Sequence, residues 1–238
     1  MSLAQNRTDF ARSLLALPRK APASAPLVKE GPGLSLFEAP FPWWKRAMDL
    51  AGALAALAVF APAMIAIAIA IKLTSSGPVF FTQVRGGRGG RPFKLYKFRS
   101  MAVDAEARKA DLMRFNERSG VAFKMTGDPR VTRIGRIIRK TSLDELPQLF
   151  NVLVGDMSLV GPRPLPVSEE KDYNSWHWRR LDVKPGLTCI WQVTSRHDHD
   201  FDRWVRLDLE YIRKRSFWLD LVLLFKTVPA VLMQRGAC

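Results

Sequence analysis

At 238 residues the chain can enclose one good-sized core, and ordinary domain sizes exclude a second full globular unit beside it. Its 37 lysines and arginines against 22 acids give a formal net charge of +15, which selects polyanionic partners without choosing among nucleic acid, anionic lipid and phosphorylated substrates. Two cysteines, Cys189 and Cys238, exclude a disulfide framework and paired cysteine metal ligands, and they fit a reducing compartment.

Residues 1–42 carry Pro18, Pro22, Pro26, Pro32, Pro40 and Pro42 among scattered basic residues, the composition of a disordered leader. The apolar patch at 14–17 is too short for the core of a signal peptide, which needs roughly 7–15 apolar residues. Residues 48–71 are almost wholly apolar and would make a straight helix of about 36 Å. Pro62 interrupts them, leaving a first arm of about 21 Å and a shorter second arm, neither able to cross a bilayer alone. Lys45 and Arg46 precede the run and Lys72 follows it, so both ends read as lying on one face of the membrane. The expectation is a re-entrant helix that breaks at Ala61–Pro62, with Trp43 and Trp44 at the headgroup level.

Two aromatic and β-branched runs follow, 78–85 and 92–98, separated by Gly86-Gly87-Arg88-Gly89-Gly90-Arg91, the pattern of a β-hairpin. A phosphate-cradling loop would need Lys-Ser or Lys-Thr and a helix directly after the glycines, and neither follows. Residues 102–117, rich in Ala, Leu, Lys, Arg and Glu, predict an exposed amphipathic helix.

Residues 128–164 carry the densest chemistry. Arg130, Arg133, Arg136, Arg139 and Lys140 recur at near-helical spacing before two adjacent acids, Asp144 and Glu145. A capping box starting at Ser142 would place Pro147 where it removes a helix bond, whereas a helix capped by Asp144 and stopped by Gly155 tolerates it. The acids then sit at a helix mouth between the arginine series and Arg163, where backbone N–H groups favour carboxylates and phosphates alike. Further on, His197-Asp198-His199-Asp200 with Asp202 reads as a solvated loop, because histidines two apart in a loop define no metal geometry. Residues 216–235 are apolar but contain Asp220, Lys226 and Pro229, which suits a helix lying on the membrane surface or packing on the domain.

The order of Lys-Phe-Arg-Ser-Met (97–101), Asp-Pro-Arg-Val-Thr-Arg-Ile-Gly-Arg (128–136), Ser-Leu-Asp-Glu-Leu-Pro-Gln-Leu (142–149), Gly-Asp-Met-Ser-Leu-Val-Gly-Pro-Arg-Pro (155–164), Lys-Pro-Gly-Leu-Thr (184–188) and Trp-Gln-Val (191–193) resembles the bacterial sugar transferases. More narrowly it resembles the small monotopic phosphoglycosyl transferases, from about Trp44 to the C-terminus. Thr188-Cys189 and Thr194-Ser195-Arg196 depart from the usual pattern. The resemblance implies catalytic Asp144 and Glu145, Mg²⁺ held by Glu145, and Lys97, Arg99, Arg163 and Arg196 binding phosphate or nucleotide. It also implies a UDP-sugar donor, a polyprenyl (undecaprenyl) phosphate acceptor and contact with membrane lipid. The corresponding fold is α+β, with a leader (1–42), a re-entrant membrane helix (43–72) and a mainly helical catalytic domain (73–238). That domain is expected on the cytoplasmic face of the bacterial inner membrane, with a short β-hairpin and interfacial amphipathic helices, and no nucleic acid is expected as a partner. An oligomer is compatible with the sequence. The competing class is a basic peripheral membrane or nucleic-acid-binding protein, which would bind polyanions in a salt-dependent way and turn nothing over.

Overall fold

The structure, a computed structural model, describes residues 39–117, 123, 125–194 and 200–232. The apolar run forms helix α1 (Trp43–Thr74), which is long and apolar enough to cross a membrane. Its backbone stays helical through Pro62, where the sequence predicted a break. Proline removes one N–H and crowds one carbonyl, which bends a helix while the flanking bonds still form.

Both arms of α1 rest on the same body. Ala53, Ala56 and Leu57 pack with Leu149, Val152, Met157 and Val160, whereas Met64, Ile67, Ala68 and Ile71 pack with Phe98 and Ile138. Residues 58–62, between the two contacts, are exposed. Leu146 packs against both clusters.

The start of α1 is fastened by buried charge. Lys45 Nζ donates to Asp220 Oδ2 (2.6 Å), Val160 O (2.9 Å) and Tyr211 Oη (3.1 Å). Asp49 Oδ1 accepts from Ser158 Oγ and Leu159 N, both at 2.9 Å, and Arg46 donates to Val152 O and Leu153 O, both at 2.7 Å. Lys45 and Arg46, read from the sequence as basic residues flanking the apolar run, therefore bond to protein.

The hairpin forms as expected. Strands β1 (Phe80–Gly86) and β2 (Pro92–Phe98) pair antiparallel from Phe80↔Phe98 to Gly86↔Pro92, closed by a 3₁₀ turn, Arg88–Gly90. Gly89 and Gly90 both take positive φ, +66° and +73°, which glycine adopts without steric cost. The helix predicted over 102–117 shrinks to α2 (Lys109–Leu112) and a 3₁₀ turn, Met113–Phe115. Tertiary bonds take the groups a helix would use: Ala102 N donates to Arg130 O, and Ala105 O accepts from Arg130 Nη1.

Next come α3 (Arg133–Lys140), capped by Thr132 Oγ1 on Gly135 N, and α4 (Gln148–Val154), stopped by Gly155 at φ +97°. Strand β3 (Ser158–Val160) pairs in parallel with β4 (Gly186–Thr188), and α5 (Val167–Glu170) lies between them in the chain. Helices α6 (Ile190–Thr194) and α7 (Phe201–Lys214) enclose an aromatic core with Tyr173, Trp178, Trp191, Phe201 and Trp204. The last helix, α8 (Phe217–Leu232), packs on the domain through buried Asp220 and Leu223, while Trp218, Val222 and Phe225 stay exposed.

Candidate active site

Asp144 and Glu145 lie in a 3₁₀ turn, Leu143–Glu145, entered through Ser142 in the left-handed region at φ 57°. The helix begins only after Pro147, whose fixed φ and missing N–H suit a helix start. Asp144 is thus not the cap that the sequence predicted, and its carboxylate accepts no hydrogen bond from any described residue although it is buried. The turn, and not a helix mouth, sets its direction.

Glu145 is held tightly. Its Oε1 accepts from Lys97 Nζ at 2.9 Å and from Arg163 Nη2 at 2.5 Å, and its Oε2 accepts from Arg163 Nη1 at 3.1 Å. Lys97 comes from β2 and Arg163 from the Gly161-Pro162-Arg163-Pro164 segment after β3. That segment is fixed by Gly161 N on Thr188 O (2.9 Å) and Gly186 N on Pro162 O (2.9 Å). Arg180 Nη2 donates to Arg163 O at 2.7 Å, and Arg85 Nη1 donates to Pro164 O at 2.7 Å. The Arg163 fork therefore projects from a braced backbone.

The two acids titrate apart. Burial pushes the Asp144 carboxyl up to about 6, with Lys97 pulling the other way. Burial would raise Glu145 too, but Arg163 and Lys97 outweigh it and hold that carboxylate well below the usual range. One acid is thus locked as an ion-pair partner, and its neighbour is a buried carboxylate with open oxygens.

A cavity of about 420 Å³ opens on this pair, lined by Lys97, Arg163, Arg85, Arg139 and Gln192 among others. Arg99 lines it too, yet its guanidinium donates to Ser76 O (2.5 Å), Ser75 O (2.9 Å) and Ser75 Oγ (2.8 Å), tying β2 to the end of α1. Arg130 is locked to Asp128 at 2.6 Å. Arg196 and the 197–199 part of the His-Asp cluster lie outside the described residues, and among the described residues no group of three or more His, Cys, Asp or Glu could hold a metal.

Sequence reasoning missed two cations. Arg85 carried a usable signal, since it falls in period with Phe81 and Gln83 on a half-buried strand. Arg180 carried none: fully buried, it joins Asp208 Oδ2 (2.8 Å) and Tyr173 Oη (2.8 Å) to the Arg163 backbone.

A buried carboxylate with open oxygens, flanked by an arginine fork and a lysine and set beside an apolar helix, is chemically equipped to bind and attack a phosphate ester near a membrane. Residues 41–234 match the bacterial sugar transferase family, and the chain belongs to it. It is 48% identical over 194 residues to the galactosyl transferase CpsE of Streptococcus agalactiae, covering 81% of this chain and 43% of that protein. It is 40% identical over 197 residues to the exopolysaccharide production protein ExoY of Rhizobium meliloti, covering 81% and 87%. It is also 40% identical over 201 residues to the UDP-glucose:undecaprenyl-phosphate glucose-1-phosphate transferase of Caulobacter vibrioides, covering 81% and 71%. The chain thus spans less than half of CpsE but most of ExoY.

Proposed function

We propose that the protein transfers a phosphosugar from a UDP-sugar to undecaprenyl phosphate, giving polyprenyl-diphosphate-sugar and UMP. This would be the first membrane step in the synthesis of an exopolysaccharide, capsule, O-antigen or related glycoconjugate. The observation that carries the reading is the contrast within the acid pair: Glu145 saturated by Arg163 and Lys97, Asp144 buried with both oxygens open.

In the first half-reaction an Asp144 oxygen bonds to the sugar-bearing phosphorus, the bond from that phosphorus to the bridging oxygen breaks, and UMP leaves with the electron pair. In the second, an oxygen of the polyprenyl phosphate bonds to the same phosphorus, and the acyl-phosphate bond breaks to restore the Asp144 carboxylate. Neither half requires a proton to move once Asp144 is ionised. Arg163 and Lys97 offset charge that builds on the phosphoryl oxygens, and the cavity walls limit access of water.

Mg²⁺ fits this donor set chemically, since hard carboxylate oxygens completed by diphosphate oxygens suit it. Glu145, with the substrate, would hold the ion, which supplies charge neutralisation on the diphosphate. Both Glu145 oxygens are occupied by Lys97 and Arg163 without substrate, so metal binding goes with those two cations turning toward the phosphates.

The membrane arrangement follows the same reading. A straight helix crossing a bilayer would leave its ends on opposite faces, whereas both arms of α1 pack on one body and residues 58–62 stand clear. A helix dipping into the cytoplasmic leaflet of the inner membrane accounts for this and brings a soluble nucleotide sugar and a lipid to one site. The test is a reaction without lipid acceptor: enzyme, Mg²⁺ and a panel of UDP-sugars should release up to one equivalent of UMP while the protein gains the mass of a phosphosugar. Asp144→Asn should do neither. A folded Asp144→Asn enzyme that still turns over removes the covalent mechanism.

A further inference from the structure

Of the cavity cations that the two half-reactions above do not use, Arg99, Lys109 and Arg130 bond to Ser75, Glu169 and Asp128, and Arg85 has a buried donor to spare. Strand β1 alternates, setting Phe81, Gln83 and Arg85 on the half-buried side that lines the cavity while Thr82 and Val84 are exposed. The Arg85 guanidinium has one bond, from Nη1 to Pro164 O at 2.7 Å. Its Nε is buried without a partner, and it forms no ion pair with a described residue, whereas Lys97 and Arg163 share Glu145. Burial and then Arg163 lower its pKa to about 10, which leaves it charged at neutral pH. Two guanidiniums therefore line one cavity, and among the described residues Glu145 is the only acid bonded to either.

Arg85, Lys97, Arg163 and the acid pair line one cavity. Asp144 feels Lys97, Glu145, Arg139 and Arg163 most strongly, while Arg85 feels Arg163, Glu169, Glu145 and Glu106. Arg163 and Glu145 belong to both sets, and Arg85 is tied to the Arg163 segment through its bond to Pro164 O. A phosphorus under attack by Asp144 would be met by Lys97 and Arg163, the two cations held by Glu145, which leaves Arg85 for a second phosphate across the bridging oxygen. We propose that Arg85 binds the second phosphate of the donor diphosphate, the one that departs as the nucleoside monophosphate. This rests on the transfer reading for the identity of the donor. Arg85 is then a leaving-group clamp, distinct from the residues that hold the phosphorus under attack.

Binding separates this role from turnover. The full chain in detergent micelles, titrated calorimetrically with UMP and with uridine, should bind UMP the more tightly. Arg85→Gln should erase about tenfold or more of that preference, the usual weight of a charge-assisted contact, with uridine affinity unchanged. Arg85→Lys, which keeps a charge and a donor for Pro164 O, should fall between. Equal UMP affinity in wild type and Arg85→Gln overturns the assignment. So does a parallel loss of uridine and UMP affinity, which is what a purely structural brace on Pro164 would give, and so does a wild type that fails to prefer UMP. A wild type that prefers UMP through Arg85 yet releases none from any UDP-sugar supports the phosphate site and refutes the transfer reading.

Discussion

Asp144 shows how one side chain can serve chemistry against stability. Because burial lifts its carboxyl to about 6, the nucleophile of the proposed reaction would be lost as pH falls through that value, and the acceptor-free burst of UMP should drop about tenfold per unit below it. Stopped-flow or quenched-flow measurement of the burst against pH checks this, and a burst that is flat down to pH 4.5 contradicts it. The folded pKa lies above the unfolded value near 3.8, so the ionised carboxylate opposes folding above about pH 6, and the penalty vanishes below the unfolded value. Asp144→Asn should accordingly be no less stable than wild type at pH 8, melting at the same temperature or a few degrees higher. Arg163 behaves differently. Two parallel bonds to Glu145 make its geometry matter beyond its charge, so Arg163→Lys should lower kcat/KM by about a hundredfold or more while leaving the fold intact by circular dichroism.

At the scale of elements, the acid pair, the arginine fork and the hairpin were legible because their information is local: adjacent acids, a Pro-Arg-Pro run, two alternating runs around glycines. The errors came from partners distant in the chain. Lys45 looked like a flanking surface charge, yet its ion-pair partner, Asp220, is 175 residues away. The helix predicted over 102–117 satisfied its local propensity and lost to bonds with Arg130, whose guanidinium donates to Ala105 O and whose carbonyl accepts from Ala102 N. The dyad was placed at a helix mouth because capping rules could not anticipate that Ser142 turns left-handed and that the helix waits for Pro147. Lys45 and Asp220 join α1 to α8, and removing one partner leaves a buried charge, so Lys45→Ala or Asp220→Ala should each destabilise by about 3–5 kcal/mol. Lys45→Met with Asp220→Leu should recover most of that in denaturant titrations, and a double variant as weak as the singles contradicts the pairing.

For the whole molecule, the placement of α1 fixes how the protein can sit in a bilayer. Position 45 is buried, so topology is read better from Pro40 and Lys72, which are exposed at either end of the helix. Single cysteines at these two positions, in a background without Cys189 and Cys238, should react with a membrane-impermeant thiol reagent only from the cytoplasmic side of inverted and right-side-out vesicles. Reaction of the two positions from opposite sides establishes a spanning helix. Pro62→Ala restores a backbone donor inside α1 and should move part of the population toward that spanning form.

Leu146 follows Glu145 directly in the chain and packs against the clusters of both α1 arms, so a change in the angle between those arms would reach the turn that carries the acid pair. Bilayer thickness sets that angle for any helix inserted part-way, since the protein adjusts to mismatch by tilting and bending. With the proposed insertion of α1, the protein would act as a gauge of its own membrane. Reconstituted in phosphatidylcholines of increasing acyl length at constant surface charge, it should show a turnover optimum at one thickness, and Leu146→Ala, which loosens the contact, should flatten that optimum while a soluble-donor burst persists.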